Sequence, residues 1–524
     1  MTDSGLSFRV YGAPVAFLPS IFNRQKPHKR VTSSTMKLCE SRTILVILIP
    51  LLLRALTASY PHSGQDNHHG SKIAYGGDYE AQRHWMELTL HLPLHKWYTH
   101  DKDYWGLDYP PLIAYGSYIM GWMSHYIVGE ESMELFTSRG NEDPILKSFM
   151  RSTVFGWDLI LYIPILWVIA RRLTSGTSTS KGNFRVLLFL ALSQPALIII
   201  DHGHFQYNSV CLGLALGSFH FMTLADHGDQ LGIGYNAILG SVLFCLALNW
   251  KQMTLYFAPS VFAYLLGKSF RRGNASSLMV YLNKILQRIV RLGIAVIGTF
   301  GMLWYPFYHY RSEKSLSMID VMGPIVSRIF PFGRGLFEGK VSNIWCVLST
   351  RPISIRERIP IEIQPLCALI LTLTMTLPFC FLLFKVGREG NNQKDHLKAL
   401  LWGSAGTSLS FFLASFQVHE KSILLPLAPL SLLIMDAPLL ISWFSCICMW
   451  TNWHLLEADR LFVPYLALTI FFIFSIHCSM DLKGGDTTER EQNVSIFEKL
   501  GRNIFQKYIV PLSVIALSWL DYTG

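Results

Sequence analysis

Charged residues are scarce in this chain of 524 amino acids. Asp, Glu, Lys and Arg make up 15% of it, whereas a soluble globular protein carries about 25%. Hydrophobic residues make up 51%, which excludes both a disordered chain and a string of soluble domains. The 45 Lys and Arg outnumber the 35 Asp and Glu, and in so apolar a chain this excess is typical of cytoplasmic loops rather than of a nucleic-acid-binding surface. The composition therefore predicts an all-α polytopic membrane protein.

Several motifs of soluble enzymes are also missing. The nine cysteines are scattered and show neither metal-ligand spacing nor a disulfide framework. The sequence has no Gly-x-x-x-x-Gly-Lys-Ser/Thr phosphate loop and no His-Glu-x-x-His zinc motif. Nothing in these patterns favours nucleotide or metal chemistry, so the candidate functional residues are those of the polar segments between the apolar runs.

The apolar runs indicate about 12–14 transmembrane helices, although some runs are short for a full span. Residues 1–42 form a polar cytoplasmic extension that ends in a basic cluster, and residues 43–524 form the multi-span domain. We read the first run, 43–60, as an uncleaved span that follows a cytoplasmic N-terminus. The later runs lie near residues 153–170, 186–201, 206–225, 233–249, 253–267, 290–308, 363–385, 399–416, 422–436, 437–454, 461–479 and 507–520.

Counting spans from a cytoplasmic N-terminus places four basic loops on the cytoplasmic side, namely 171–185, 268–291, 385–398 and 483–507. This count holds only if the apolar run 112–128 does not cross the membrane. We predict that this run is a helix lying against the outer surface. Long outer loops then cover residues 61–152 and 309–361, and short outer loops fall at 201–205, 249–252 and 417–421.

The first polar segment, residues 76–87, opens the long outer loop. From Asp78 onward, apolar residues recur at helical spacing on one side, at Ala81, Trp85, Leu88 and Leu92, and polar residues lie opposite, at His84, Glu87 and His91. The pattern predicts an interfacial amphipathic helix. Asp78 would either cap that helix after two glycines or face a substrate from its rigid start.

The second segment, residues 104–111, places Trp105, Asp108 and Tyr109 before two prolines. The aromatic residues would either anchor a helix at the membrane interface or stack on a sugar ring.

The third segment, residues 201–208, has His202 and His204 on either side of a glycine. Zinc needs three or four ligands, so a polar turn that hydrogen-bonds to neighbouring loops competes with a metal site.

The fourth segment, residues 328–338, holds Arg334 between two glycines, a setting that allows close approach of an anion. The fifth, residues 416–421, contains His419, Glu420 and Lys421 where a span meets the outer surface. Each has an ordinary alternative, a surface arginine beside a turn or a solvated loop with a snorkelling lysine.

Polar segments gathered on one membrane face fit an enzyme with a lipid-linked substrate. A lipid or sugar transporter remains the alternative, although transporters usually keep their polar residues near mid-membrane.

Taken together, the segments resemble the Alg-type α-1,3-glucosyltransferases of the endoplasmic reticulum, and the resemblance covers the chain from about residue 43 onward. The matching strings are residues 77–87, 105–111, 138–140, 201–208, 332–338 and 416–422. The intact string at 77–87 favours the members that add the first glucose. Enzymes that add the second glucose are similar in the later strings and remain the alternative.

The resemblance implies a C-type glycosyltransferase architecture with its active site on the luminal side of the endoplasmic reticulum membrane. It implies dolichyl phosphate glucose as donor, dolichyl-diphosphate-linked Man9GlcNAc2 as acceptor, and neither metal nor cofactor. Because a β-linked donor would give an α-linked product, the configuration would invert, which requires one base and no covalent intermediate.

The resemblance, with the outer position of the segment, identifies Asp78 as that base. Arg334 and His419 are the foremost candidates to stabilise the departing phosphate, and Lys421, His202 and Lys251 are weaker ones. The remaining candidates for substrate binding are Asp108, Arg83, His84, Trp105, Tyr109, His204, Gln206 and Glu420.

Overall fold

The computed structural model describes residues 33–66, 76–100, 103–176, 180–225, 232–273, 276–330, 336, 341–390 and 392–481. The chain divides into two units, residues 1–44 and 45–524. The first unit is described only from residue 33, where a helix begins. All contacts discussed below lie within the second unit.

Helices are the only regular structure in these described ranges, which confirms the predicted all-α class. In chain order they are α1 (Ser33–Ala58), α2 (Gly77–His91), α3 (Pro111–Ile127), α4 (Pro144–Trp157), α5 (Ile163–Thr174), α6 (Ser180–Leu192), α7 (Pro195–Ile198), α8 (Asn208–Met222), α9 (Tyr235–Trp250), α10 (Ala258–Ser269), α11 (Leu278–His309), α12 (Met318–Ile329), α13 (Ile344–Leu348), α14 (Ile355–Arg358), α15 (Gln364–Glu389), α16 (Gln393–Ala414), α17 (Leu424–Ser431), α18 (Pro438–Thr451), α19 (Trp453–Ala458) and α20 (Phe462–Asp481). Short 3-10 helices cover Leu94–Lys96, Glu130–Met133, Gln252–Phe257 and Glu420–Ile423, and π-helical segments cover Asp158–Tyr162 and Ile199–Phe205.

Several helices are long and apolar enough to cross a membrane, so the protein is a polytopic membrane protein. Among the described residues there are four, Pro144–Thr174, Leu278–His309, Gln364–Glu389 and Phe462–Ser479. A fifth arises if α6 and the segment Pro195–Phe205, bent by 48°, form one broken span. Shorter apolar helices, including α8 and α9, accompany them. The number of 12–14 spans stays a prediction, and its last run, 507–520, lies outside the described residues.

The exposed surface of these helices is apolar, as expected of a surface that contacts lipid. On α11, Ile297 and Met302 are 74% and 79% exposed. The centre is formed by α8, whose residues Asn208–Phe219 are all buried and which packs against α9 and α5. The apolar run after residue 111 forms α3 as predicted. One face of α3 packs on α2, and the other exposes Trp122 and Tyr126, an arrangement that suits a helix against a membrane.

The structure corrects the conformation expected of two outer segments, while their side of the membrane stays a prediction. The helix that begins the first outer loop, α2, is not a one-sided interfacial helix, because Tyr79–Thr89 are buried on every side. Its polar face is covered by the loop that contains Ser138, and α3 also packs against the helix. The predicted outer loop at 201–205 is helical, since Ile199–Phe205 forms a π-helical segment whose residues are all buried.

Candidate active site

Asp78 is presented by the first turn of α2. Gly76 and Gly77 precede it with φ angles of 103° and 64°, which side chains other than glycine rarely adopt. A Cβ at Gly77 would also lie 2.3 Å from Oγ of Ser63. The N-cap of α2 is Gly76, and Asp78 lies inside the helix, so the alternative that Asp78 caps the helix is wrong. Its side chain is instead available to groups from distant parts of the chain.

Three side chains donate hydrogen bonds to one oxygen of Asp78, Oδ2. Nε2 of His204 lies 2.9 Å from it, and Nε2 of Gln206 and Nζ of Lys421 also contact it. The Asp78 side chain is 25% exposed, whereas those of His204 and Lys421 are 1% and 5% exposed. The carboxylate is therefore the accessible member of an otherwise buried cluster.

The charges around Asp78 keep it ionised. Burial alone would raise the pKa of the Asp78 carboxyl, but the Lys421 ammonium and the His204 imidazole outweigh burial and hold this pKa well below its ordinary value. The carboxylate thus carries its negative charge throughout the physiological pH range.

Behind Asp78 lies a second carboxylate that the sequence patterns did not indicate. Nδ1 of His204 contacts Oδ2 of Asp459, so the imidazole lies between two carboxylates. Asp459 follows α19 and its side chain is 5% exposed. A single Asp in a Glu-Ala-Asp-Arg sequence has no spacing that would mark it as part of a site, and only the fold brings it to His204.

Gln206 connects Asp78 to a buried lysine. Its Nε2 donates to Asp78, while its Oε1 accepts a hydrogen bond from Nζ of Lys251 at 3.0 Å. Lys251 also donates to Oδ1 of Asn208 at 2.7 Å and lies 4.9 Å from the ring centre of Tyr109. Burial, reinforced by the nearby positive charge of Lys421, lowers the pKa of Lys251 to about 8. The site therefore contains two lysines close to one carboxylate.

The turn after the π-helical segment aims His204 and Gln206 at Asp78. Phe205 has a φ of 88°, a conformation that is an outlier for a bulky residue and that persists only where the surroundings enforce it. Arg151, on α4, donates to the backbone carbonyl of Gly203 at 2.8 Å and to that of His202. Arg151 is a second residue missed from the sequence, since an arginine within a helix gives no sign of such distant carbonyl partners.

His202 does not join this cluster. Its Nε2 lies 2.9 Å from Oδ2 of Asp158, which also accepts a 2.7 Å hydrogen bond from Nε of Arg54. His202 is 1% exposed, and these contacts tie α1 to the π-helical turn between α4 and α5. The two histidines therefore face different carboxylates. Within the described ranges, no group of three His, Cys, Asp or Glu residues is arranged to hold a metal ion.

Arg83 and His84 are wholly buried in an ion network. The Arg83 guanidinium donates to Glu80 at 2.6 and 2.7 Å, to Glu87 at 2.8 Å and to Oγ of Ser138 at 2.7 Å. Nδ1 of His84 lies 3.1 Å from Glu87. These contacts hold the loop around Ser138 against α2, so the geometry favours a structural role over the substrate-binding role predicted for both residues.

The aromatic segment 104–111 lies beside the cluster. Trp85 donates from Nε1 to the carbonyl of Trp105 at 2.8 Å, and its ring packs edge-on against Tyr109 at 4.9 Å. Arg328, on α12, holds the same segment through the carbonyl of Gly106 at 2.9 Å. Asp108 is half-buried in this segment. Of the predicted sugar-stacking residues, Tyr109 lies against Lys251, whose Nζ is 4.9 Å from its ring centre.

The segment 416–421 contributes one exposed imidazole. The His419 side chain is 52% exposed, and its Nδ1 lies 3.1 Å from Oε2 of Glu420. Burial would raise the pKa of Glu420, but His419 and Lys421 outweigh it and lower this pKa to about 2. Arg334 lies outside the described residues, so its placement near His419 stays a prediction.

Chemically, the arrangement offers an ionised, partly accessible carboxylate that can accept a proton, with cationic donors that can stabilise an anion beside it. Asp78, His204, Gln206, Lys251 and Lys421 were all predicted site residues, and the structure brings them together from four separate segments. Their assignment to individual steps of a reaction stays a prediction.

Comparison with known proteins identifies the family. Residues 46–523 match the ALG6, ALG8 glycosyltransferase family. A Dictyostelium discoideum protein named "Probable dolichyl pyrophosphate Man9GlcNAc2 alpha-1,3-glucosyltransferase" is 40% identical over 83% of this chain and 77% of its own length. Two proteins bear the same name without "Probable". The one from Gallus gallus is 38% identical over 82% of this chain and 77% of its own length, and the one from Saccharomyces cerevisiae is 37% identical over 80% of this chain and 71% of its own length. The chain therefore belongs to the ALG6, ALG8 glycosyltransferase family.

Proposed function

We propose that this glycosyltransferase moves glucose from dolichyl phosphate glucose to dolichyl-diphosphate-linked Man9GlcNAc2, forming the first α-1,3-linked glucose. The observation that carries the proposal is the ionised Asp78 carboxylate, 25% exposed within a ring of buried donors. The names of the relatives support the acceptor and the linkage. The donor, the endoplasmic reticulum location and the luminal active site follow from the family resemblance and from the predicted topology.

In this proposal Asp78 acts as the general base. It accepts the proton of the acceptor mannose 3-hydroxyl while that oxygen attacks the glucose carbon opposite the departing phosphate, which gives inversion in one displacement. The three donors from His204, Gln206 and Lys421 all contact Oδ2. We assign the proton to Oδ1, because Oδ2 already accepts these three hydrogen bonds.

The low pKa of Asp78 beside Lys421 has a consequence for this step. A carboxylate paired with Lys421 is a weak base, because the ammonium stabilises its ionised form. A donor phosphate bound nearby would compete for the Lys421 ammonium and so make Asp78 more basic as the substrates assemble. Donor binding and base strength are thereby coupled through one lysine.

The departing phosphate gains charge in the transition state, and preorganised cations stabilise such charge. Lys421 and Lys251 supply buried positive charge within the cluster, and we assign a further hydrogen bond to the phosphate to the half-exposed His419, two residues before Lys421. The proposal therefore needs no metal ion.

The test is a reconstituted reaction with purified protein, radiolabelled dolichyl phosphate glucose and Man9GlcNAc2-diphosphodolichol, followed by linkage analysis of the product. We expect one α-1,3-linked glucose per acceptor. Two substitutions of substrate serve as controls, dolichyl phosphate mannose as donor and an acceptor that already carries one glucose. Transfer only to the glucosylated acceptor would identify the second-step enzyme instead. Movement of lipid across sealed vesicles without bond formation would support a transporter.

A further inference from the structure

The imidazole of His204 bridges two carboxylates that come from opposite parts of the chain. Its Nε2 faces Oδ2 of Asp78 at 2.9 Å, and its Nδ1 contacts Oδ2 of Asp459. A histidine donates from both ring nitrogens only when it is protonated. Two flanking carboxylates also stabilise that form, so the geometry describes an imidazolium that donates to both.

Two cations, Lys421 and Arg151, also lie near His204. Lys421, on the 3-10 helix Glu420–Ile423, disfavours a positive charge on His204 by repulsion. Arg151, on α4, binds the neighbouring carbonyl of Gly203 and adds a second cation. Asp78 already forms an ion pair with Lys421. Its single negative charge therefore cannot also balance a positive charge on His204. The second carboxylate, Asp459, is what balances the imidazolium.

We infer that Asp459 is a positioning residue that keeps His204 protonated and oriented, so that His204 fixes Oδ2 of Asp78 and leaves Oδ1 for the acceptor hydroxyl. Asp459 does not itself reach the substrate in this account, because its side chain is 5% exposed and lies on the far side of the imidazole. The inference rests on the proposed function, since it concerns the orientation of the proposed base.

The inference predicts a specific pH dependence. The protonated form of His204 is the active one, so transfer declines as the pH rises through its titration. In Asp459→Asn the amide oxygen still accepts from Nδ1, but the negative charge is gone and the imidazolium loses its proton at lower pH. The alkaline limb of kcat therefore moves to lower pH. We expect kcat to fall about tenfold to a hundredfold, as for other carboxylates that orient a functional histidine, while KM for both substrates stays nearly constant.

Three further variants complete the experiment, which measures kcat and KM between pH 6 and 9 in the full-length protein. Asp459→Glu keeps the charge and should keep the alkaline limb in place. His204→Gln, whose Nε2 donates to Asp78 at any pH, should lose the titration of His204 and keep only that of Lys251, whose pKa is about 8, and adding Asp459→Asn to it should change little. Arg460→Gln is the matched control, because Arg460 adjoins Asp459 but binds Asp66, with both side chains 57% exposed.

Each outcome bears on the inference. A uniform loss of rate in Asp459→Asn at every pH, or a rise in KM alone, would overturn it. If Asp459→Asn fails to fold, an alkaline limb in His204→Gln that is unchanged from that of the unaltered protein would overturn it as well, because the limb would then belong to another group such as Lys251. Absence of glucose transfer by the unaltered protein would instead refute the proposed function, so the two failures are distinguishable.

Discussion

Lys421 and Asp78 form an ion pair across 343 residues of sequence. The lysine lies on a 3-10 helix in the segment that precedes α17, and the aspartate lies in the first turn of α2. Because the pair joins two strings that the sequence had already marked as polar and outer, it shows that these strings form one site. It also fixes the ionisation of the proposed base, and this leads to the first prediction.

Lys421→Met should change the pH profile of kcat/KM. In the unaltered protein the Lys421 and His204 charges hold the pKa of Asp78 well below its ordinary value, so Asp78 is ionised over the whole assay range and protonates only in strong acid. Without the ammonium, burial is opposed chiefly by His204, and the pKa of Asp78 rises. The acid limb should therefore move to higher pH, and activity should be lost earlier as the pH falls. Lys421→Arg, which keeps the charge, is the control, and an unmoved acid limb in Lys421→Met would refute this electrostatic account.

Arg83→Met should destabilise the fold rather than weaken substrate binding. The change leaves Glu80 and Glu87 buried without their guanidinium partner, and breaking a buried pair in this way costs about 3–5 kcal/mol. Thermal unfolding in detergent should show a large drop in midpoint. The exposed pair of Arg460 with Asp66 provides the comparison, since Arg460→Gln should cost at most about 1 kcal/mol. An Arg83→Met protein of normal stability with a raised acceptor KM would restore the substrate-binding role.

Arg334 and His419 should act on the same departing phosphate. Arg334→Lys keeps the charge but cannot form the bidentate hydrogen bonds of a guanidinium, so much of the rate should be lost. His419→Ala should lower turnover more than acceptor affinity. Because both side chains serve one group, the double variant should show less than the summed loss in activation free energy. Single and double variants are compared by kcat and KM; strict additivity, or a defect confined to acceptor KM, would move both residues out of the donor site.

Activity should persist in excess EDTA, because buried lysines and an exposed imidazole are available to offset the phosphate charge. The measurement is glucose transfer before and after chelation, with a parallel sample to which Mg²⁺ or Mn²⁺ is returned. Loss of transfer with EDTA and recovery with either ion would contradict the metal-free mechanism.

The sequence predicted the class, the family and much of the site, because polar strings beside apolar runs stand out in a membrane protein. It could not reveal Asp459, whose partner His204 lies 255 residues away and whose own sequence has no distinctive spacing. Periodicity also misplaced α2. Its polar side suggested contact with water, yet Arg83 pairs with Glu80 and Glu87 at spacings of three and four residues. That spacing was visible in the sequence. It lets oppositely charged side chains of one helix pair with each other, and the paired charges can then be buried.

The central claim is that Asp78 is the base, and Asp78→Asn tests it most directly. Asparagine keeps the size of the side chain and can still accept hydrogen bonds from His204, Gln206 and Lys421, but it cannot take the acceptor proton. The measurement is kcat for glucose transfer to Man9GlcNAc2-diphosphodolichol, with donor binding measured in parallel and Asp108→Asn as the comparison. We predict a loss of about a hundredfold to ten-thousandfold in kcat for Asp78→Asn with donor binding retained, and a smaller loss for Asp108→Asn. Near-normal turnover in Asp78→Asn would contradict the account.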